Sequence, residues 1–200
     1  ELAMERKGLI LVIGMTGSGK STTLAAMLDH RNKNSYGHIL SIEDPVEFVH
    51  KHQNCIVSQR EVGVDTDCWQ NAIKSALRQA PNVVLIGEIR DAEAMDYALQ
   101  FAETGHLCVA TIHATNCIQA IERIVNLFPT EKQHQVFMNL SLNLKAIVGQ
   151  RLIKLEAGKG RAPAMEILLN TSTIADYIFK QQLEPIREAM VKSSDLGMQT

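Results

Sequence analysis

The chain has 200 residues, of which 46% are hydrophobic, and its 20 basic and 22 acidic side chains give a formal net charge of −2. This length suits one domain with a small appendage. The charge balance disfavours a large nucleic-acid surface, which needs a basic excess. The apolar runs are too short to span a bilayer, and residues 1–7 are not expected to be a leader peptide. We therefore expect a soluble protein that binds no nucleic acid and inserts into no membrane.

The four cysteines are widely spaced and form no C-x-x-C pair. This spacing predicts neither a zinc site nor a disulfide framework, and it favours a reducing compartment. Cys108 stands in an apolar run and is expected to be a small core residue.

The first recognisable motif is Gly-Met-Thr-Gly-Ser-Gly-Lys-Ser at 14–21, which fits the phosphate-binding loop G-x-x-x-x-G-K-[ST] at every fixed position. An apolar run at 9–13 precedes it, and a helix-forming run at about 21–29 follows. Glycines let the backbone N–H groups point at phosphate oxygens, and the new helix adds its unpaired N–H groups. A plain glycine turn is the alternative. The residues expected to contact the nucleotide are Gly14, Thr16, Gly17, Ser18, Gly19, Lys20, Ser21 and Thr22.

The next elements follow as short apolar runs. After a polar turn at 30–37, the run at 38–42 predicts a buried parallel strand. Residues 48–62 alternate loosely and predict a hairpin. Helical spacing from Trp69 to Ala80 predicts a helix, with Thr66 or Asp67 as the N-cap and Pro81-Asn82 as the stop.

Two more strands are predicted at 83–86 and 107–112. Between them, helical spacing predicts a helix that Gly105 closes, with Met95, Ala98, Leu99 and Ala102 on its buried face. Strands that alternate with helices predict a parallel sheet with right-handed crossovers, in which ligands sit at the carboxyl ends of the strands. The fold class is therefore α/β.

The last third of the chain reads differently. Residues 116–149 predict a helical region with a buried stripe made of Phe137, Leu140, Leu144, Ile147 and Val148. Residues 150–169 predict a strand pair around 156–160, and two short helices follow, the second opening at Glu184-Pro185. We therefore expect a nucleotide-binding core at 1–149 and a C-terminal extension at 150–200.

Hydrolysis of a nucleoside triphosphate needs Mg²⁺, a carboxylate that orients or deprotonates water, and cations near the γ-phosphate. Lys20 is expected to reach the β- and γ-phosphates, and the Ser21 hydroxyl to bind Mg²⁺. Glu88 follows the strand at 83–86 after one glycine, where a metal-side carboxylate belongs; a helix N-cap is the alternative.

The water-orienting acid belongs to the cluster Glu43, Asp44 and Glu47, and periodicity alone does not choose among the three. A solvated turn is the alternative for the cluster. His113, at the end of the third strand, is a candidate for sensing the γ-phosphate, whereas His106 should lie farther away; a satisfied core histidine is the alternative for each.

Four arginines are candidates for action across a subunit boundary. Any one of them can instead be a surface charge or part of a structural ion pair. They are Arg60, Arg78, Arg90 and Arg123.

Five ordered motifs resemble the secretion-ATPase superfamily of type II secretion and type IV pilus motors, and most closely its retraction branch, PilT and PilU. The likeness covers essentially the whole chain. The motifs are the Walker A sequence at 14–24, the Asp box Ser-Ile-Glu-Asp-Pro-Val-Glu-Phe at 41–48, Gln-Arg-Glu-Val at 59–62, the Walker B sequence Gly-Glu-Ile-Arg-Asp at 87–91, and the His box at 104–107 and 111–114.

The resemblance implies a RecA-like ATPase core that uses ATP and Mg²⁺. It implies that Glu47 is the catalytic glutamate and Glu88 the Walker B acid, which holds Mg²⁺ directly or through water. It also implies a homo-hexamer at full length, with a PAS-like N-terminal domain that this chain is expected to lack. The implied work is pilus retraction in twitching motility, at the cytoplasmic face of the bacterial inner membrane, with an inner-membrane pilus platform protein as partner.

Two departures refine this expectation. The chain has no tetracysteine insertion of the kind that many assembly motors carry, which favours retraction. Residues 173–180 replace the C-terminal motif of the PilT type, which favours an accessory motor of the PilU type that works with a PilT-type retraction ATPase.

Several alternatives remain open at this stage. They are a type II secretion or pilus assembly ATPase, a nucleotide-binding structural partner of an active paralogue, a DNA-translocating motor, and a GTPase or small-molecule kinase. Residues 32–35 lack the Asp that a guanine-reading N-K-x-D motif supplies, which disfavours the GTPase.

Overall fold

The computed structural model describes residues 1–155 and 160–200. The described residues form an α/β fold. Its strands are β1 (Gly8–Ile13), β2 (Gly37–Glu43), β3 (Cys55–Glu61), β4 (Val83–Ile86), β5 (Leu107–Ile112), β6 (Leu144–Lys154) and β7 (Arg161–Leu169). Its α-helices are α1 (Lys20–Asn34), α2 (Trp69–Leu77), α3 (Ala92–Glu103), α4 (Cys117–Asn126), α5 (Thr130–Asn143), α6 (Ser172–Phe179) and α7 (Ile186–Lys192).

The chain divides into two compact units. The first contains residues 1–10 and 21–111, and the second contains residues 11–20 and 112–200. The hydrogen-bonded strand order is β3-β2-β4-β5-β1-β6-β7. The first unit therefore holds β3, β2, β4, most of β5 and the start of β1, whereas the second holds the end of β1 with β6 and β7.

The first unit is built on parallel strands. Gly37 pairs with Cys55, Ile39 with Val83, and Val83 with Leu107. All four residues of β4 are buried, as expected for a strand covered on both faces. Because the strands are parallel, β2 and β4 end at the same edge of the sheet, and Glu43 and Glu88 stand at that edge.

The second unit is built on an antiparallel strand pair. The register of β6 and β7 runs from Ala146 opposite Leu169 to Lys154 opposite Arg161. Ile147 on β6 and Leu168 on β7 are fully buried. α6 and α7 follow this pair, and the predicted opening of the second helix near Pro185 is confirmed, since Pro185 is the N-cap of α7.

Several predicted elements are confirmed. β4 and β5 have the predicted bounds. The predicted buried face of α3 is also correct, and Cys108 is a core residue. The predicted strand pair exists as β6 and β7, although its centre at 156–159 lies outside the described residues.

Other predicted elements are wrong. The helix after the glycine loop continues to Asn34, so residues 30–34 are not a turn. Residues 48–62 are not a hairpin, because β3 pairs in parallel with β2. Neither Thr66 nor Asp67 caps α2; the N-cap is Cys68, whose side chain makes no capping hydrogen bond.

The region 116–149 is not wholly helical. A break around Pro129 separates α4 from α5, and β6 begins at Leu144. Leu144, Ile147 and Val148 are buried as predicted, but in a strand. The predicted boundary between 149 and 150 lies inside β6.

No helix of the described residues is both long and apolar enough to cross a membrane.

Candidate functional site

The glycine-rich loop at 14–20 belongs to the second unit, where the buried end of β1 leads into it. The loop has three glycines with positive φ angles, which are 149° at Gly14, 75° at Gly17 and 90° at Gly19. Residues that carry a Cβ rarely adopt these backbone angles. A Cβ added at Gly14 would lie 2.5 Å from the carbonyl oxygen of Gln150. The loop therefore packs tightly on β6, and its backbone can curl only because these positions are glycine.

Lys20 curls back over the loop. Its Nζ donates hydrogen bonds to the carbonyl oxygens of Gly14 at 3.0 Å and Met15 at 3.1 Å. Ser18 Oγ is buried and finds no hydrogen-bond partner among the described residues. A cation and a buried hydroxyl without a protein partner, both held by a glycine loop, fit the phosphate oxygens of a nucleotide.

The remaining predicted nucleotide contacts lie in the loop, in the first turn of α1 and directly after β5. Thr16 is exposed within the loop. In the first turn of α1, in the first unit, Ser21 is half-buried and Thr22 is exposed. The hydroxyl oxygen of Ser21 is a suitable ligand for Mg²⁺. His113 directly follows β5 in the second unit and is half-buried.

The three acids after β2 lie in the first unit and differ in what already binds them. Glu43 Oε1 accepts a hydrogen bond of 3.2 Å from Gln59 Nε2. Asp44 Oδ2 lies 3.8 Å from Arg90 Nη1. Glu47 is exposed and makes no hydrogen bond or ion pair with any residue that the structure describes. Among the three, Glu47 has the carboxylate that is free to act on water.

Glu88 stands in a turn whose backbone is fixed on both sides. Gly87 N donates to the Ile42 carbonyl at 2.8 Å, and Ile89 N donates to the Thr111 carbonyl at 2.9 Å. Thr111 Oγ1 also donates to the Gly87 carbonyl at 2.5 Å. The turn is thereby pinned to the ends of β2 and β5.

The Glu88 side chain is set by Arg90, because Arg90 Nε lies 2.7 Å from Glu88 Oε2. This hydrogen bond and the negative charge of Glu88 raise the pKa of Arg90. The helix-cap alternative for Glu88 fails, because Asp91 caps α3 by accepting a hydrogen bond of 2.8 Å from Ala94 N. The Glu88 carboxylate therefore does not cap α3.

The other candidates divide into structural and exposed residues. His106 lies in the turn before β5, with Nδ1 3.1 Å from Thr104 Oγ1 and its ring 5.6 Å from that of Phe101, edge to face. Arg90 is part of an ion pair with Glu88. The other three candidate arginines are exposed; they are Arg60, Arg78 and Arg123.

The sequence patterns predict no role for Gln59, Glu61 or Gln150. Gln59 and Glu61 belong to the quoted motif at 59–62, so their presence was visible, but their partners lie in a separate loop. Gln150 is 6% exposed and lies against Gly14 and Gly19. Its contact joins residues more than 130 positions apart, so no local pattern reveals it.

A glycine-rich loop between a buried strand and a helix, on a mostly parallel α/β sheet, defines a P-loop nucleotide-binding protein. The family model described as "Type II/IV secretion system protein" matches residues 1–189, and the chain belongs to that family.

Two curated relatives and one solved structure specify the likeness. The type IV pilus ATPase PilU of Pseudomonas aeruginosa is 56% identical over 200 residues, which cover 100% of this chain and 52% of the relative. The type IV pilus retraction ATPase PilT of the same organism is 47% identical over 194 residues, covering 97% of this chain and 56% of the relative. The chain thus spans about half the length of these curated relatives.

A crystal structure of the pilus retraction motor PilT with bound ADP superposes with a TM-score of 0.91 at 42% identity, covering 100% of this chain and 61% of that one. The predicted RecA-like fold class and the predicted resemblance to the PilT and PilU branch are both confirmed.

Proposed function

We propose that this chain is the ATP-hydrolysing part of a motor that retracts type IV pili, of the accessory PilU type. The observation that carries the proposal is the loop at 14–20, whose positive-φ glycines and overhanging Lys20 are what phosphate binding requires. The names of the most similar relatives, a pilus ATPase and a pilus retraction ATPase, support the choice of ATP and of retraction.

In the proposed mechanism, the loop amides and Lys20 bind the phosphates, and Thr16, Thr22 and His113 contact the nucleotide. Ser21 and Glu88 would hold Mg²⁺, Glu88 directly or through water. When bound, Mg²⁺ neutralises phosphate charge. Glu47 accepts the proton of the water that attacks the γ-phosphorus as the bond to ADP breaks.

The larger assembly is part of the proposal. The chain would act within a homo-hexamer, with 1–149 as the ATPase core and 150–200 as an extension. It would work with a PilT-type retraction ATPase and an inner-membrane pilus platform protein, at the cytoplasmic face of the inner membrane. The names of the relatives support pilus work and do not identify these partners.

Substituting Lys20→Ala tests the proposal. Because Lys20 is the loop's own cation, its loss should lower ATP turnover by about 10²- to 10³-fold, the effect of removing one charge-stabilising donor. Nucleotide binding and ATPase rate of the complete gene product would be measured. Lys33→Ala, which removes an exposed lysine at the far end of α1, is the control. Equal ATPase rates in the two variants would refute the loop's role.

A further inference from the structure

Side chains of β3 hold the backbone on both sides of Glu47. On one side, Val46 N donates a hydrogen bond of 2.9 Å to Glu61 Oε2. On the other, the Phe48 carbonyl accepts a bond of 2.9 Å from Gln59 Nε2, and His50 N donates a bond of 2.8 Å to Gln59 Oε1. The segment at 44–54 belongs to no helix or strand, so these side chains take the place of a regular hydrogen-bond ladder.

The strand register explains how two side chains reach this loop together. Gln59 and Glu61 are two residues apart and therefore lie on one face of β3, whereas the exposed Arg60 points to the other. Glu61 pairs in register with Glu43, the last residue of β2, so β3 ends beside the point where the loop begins. Both side chains are half-buried.

Gln59 and Glu61 together form a brace for the loop, and each of them is itself anchored. Gln59 Nε2 also donates to Glu43 Oε1 at 3.2 Å. Glu61 N donates to Asp65 Oδ2 at 2.9 Å, which fixes the end of the strand. The loop therefore has little freedom at the positions next to Glu47, while the Glu47 carboxylate itself stays exposed.

We propose that Gln59 and Glu61 are positioning residues that hold Glu47 where its carboxylate can take a proton from the attacking water. This inference rests on the proposed function, in which Glu47 is the catalytic base. A displacement of 1 Å at a reacting group can cost about 10²-fold in rate. A base carried on an irregular loop needs such a brace.

The two residues differ in the chemistry they must supply. Gln59 both donates and accepts, so it must be an amide; a carboxylate there would face Glu43 and the Phe48 carbonyl without a proton to share. Glu61 only accepts from Val46 N, so an amide oxygen can replace it. Gln59→Glu should therefore be damaging, and Glu61→Gln should keep most of the activity that Glu61→Ala loses.

The experiment measures kcat and KM for ATP in the complete gene product carrying Gln59→Glu, Gln59→Ala, Glu61→Gln or Glu61→Ala. Ile56→Thr, at a 65% exposed position of the same strand, is the matched control. We expect kcat to fall about 10- to 100-fold in Gln59→Glu, Gln59→Ala and Glu61→Ala, with KM, Tm and oligomeric state little changed. The amide protons of Val46 in Glu61→Ala and of His50 in Gln59→Ala should exchange faster than in the control.

Two results would overturn the inference. One is faster exchange of these amides with kcat within twofold of the unsubstituted protein. The other is a loss of kcat that does not distinguish positioning from a purely structural role. Such a loss would be equal in Glu61→Gln and Glu61→Ala, or it would come with a lower Tm or a disrupted oligomer. Glu47→Gln is measured in parallel. If Glu47→Gln hydrolyses ATP at the normal rate, Glu47 is not the catalytic base and the proposed function needs revision. If Glu47→Gln is inactive while the Gln59 and Glu61 variants stay active, only the positioning role of Gln59 and Glu61 is refuted.

Discussion

At the level of single residues, the three acids after β2 differ in the side chains that contact them. Glu43 is bound by Gln59, and Asp44 faces Arg90. A carboxylate oxygen that already accepts a hydrogen bond or faces a cation has less capacity left to accept a hydrogen bond from water. Glu47 has no such partner among the described residues.

Substituting Glu47→Gln should keep ATP binding and nearly stop hydrolysis. The amide preserves the shape of the side chain but cannot accept the proton, and the loss of a general base costs about 10²- to 10⁴-fold. Nucleotide affinity and single-turnover hydrolysis would be measured in the complete gene product. Glu43→Gln is the matched control, and hydrolysis that stops in Glu43→Gln but not in Glu47→Gln would reverse the assignment.

The glycines of the phosphate-binding loop permit a second test at this scale. Gly14→Ala should weaken nucleotide binding more than Gly17→Ala does. Both positions have positive φ, but only at Gly14 would the new Cβ meet backbone, 2.5 Å from the Gln150 carbonyl, whereas nothing lies within 4 Å at Gly17. Overpacking of this kind costs about 1–3 kcal/mol. Titration with a fluorescent nucleotide would compare the two, and equal losses would show that backbone strain alone matters.

At the scale of elements, α1 joins the start of the nucleotide site to the N-terminal segment. Its first turn carries Ser21, and Arg31 near its other end is buried. The Arg31 guanidinium donates to the carbonyl oxygens of Ala3 at 2.9 Å and Glu5 at 2.6 Å. Burial lowers the pKa of Arg31, and the two hydrogen bonds compensate for this desolvation.

Arg31→Leu should destabilise the fold by about 1–3 kcal/mol, because it leaves two carbonyls without their donor in a partly buried site. Protease cleavage within residues 1–7 should become faster. Denaturant unfolding and limited proteolysis would measure both effects. Lys33→Leu, which removes an exposed cation from the same turns of α1, is the control and should change little; equal effects of the two substitutions would contradict the role of Arg31.

At the scale of the whole molecule, the proposed ring predicts that the site is incomplete in one chain. A polypeptide of these 200 residues should bind nucleotide but hydrolyse it slowly, with a rate per chain that rises with concentration. Arginines from a neighbouring subunit, such as the exposed Arg60, Arg78 or Arg123, would supply an effect of about 10³- to 10⁵-fold. Sedimentation and ATPase rates across a dilution series test this, and full activity in a monomer would contradict it.

The elements whose signal is local could be predicted from the sequence. The loop at 14–20 is set by glycines, a lysine and a hydroxyl at fixed spacing, and β4 and β5 are short apolar runs bounded by breakers. The buried face of α3 follows from the helical spacing of its apolar residues. In each case the residues that identify the element lie within its own stretch of sequence.

Features that depend on residues distant in the chain became apparent only in the folded structure. An apolar run such as 144–148 suits a buried helix or a buried strand equally well, and its pairing with β7 makes it a strand. β3 adds to the open edge of the sheet in parallel with β2, and its own alternation does not reveal this pairing. The contacts that distinguish Glu43 and Asp44 from Glu47 likewise come from other elements, since Gln59 contacts Glu43 and Arg90 faces Asp44.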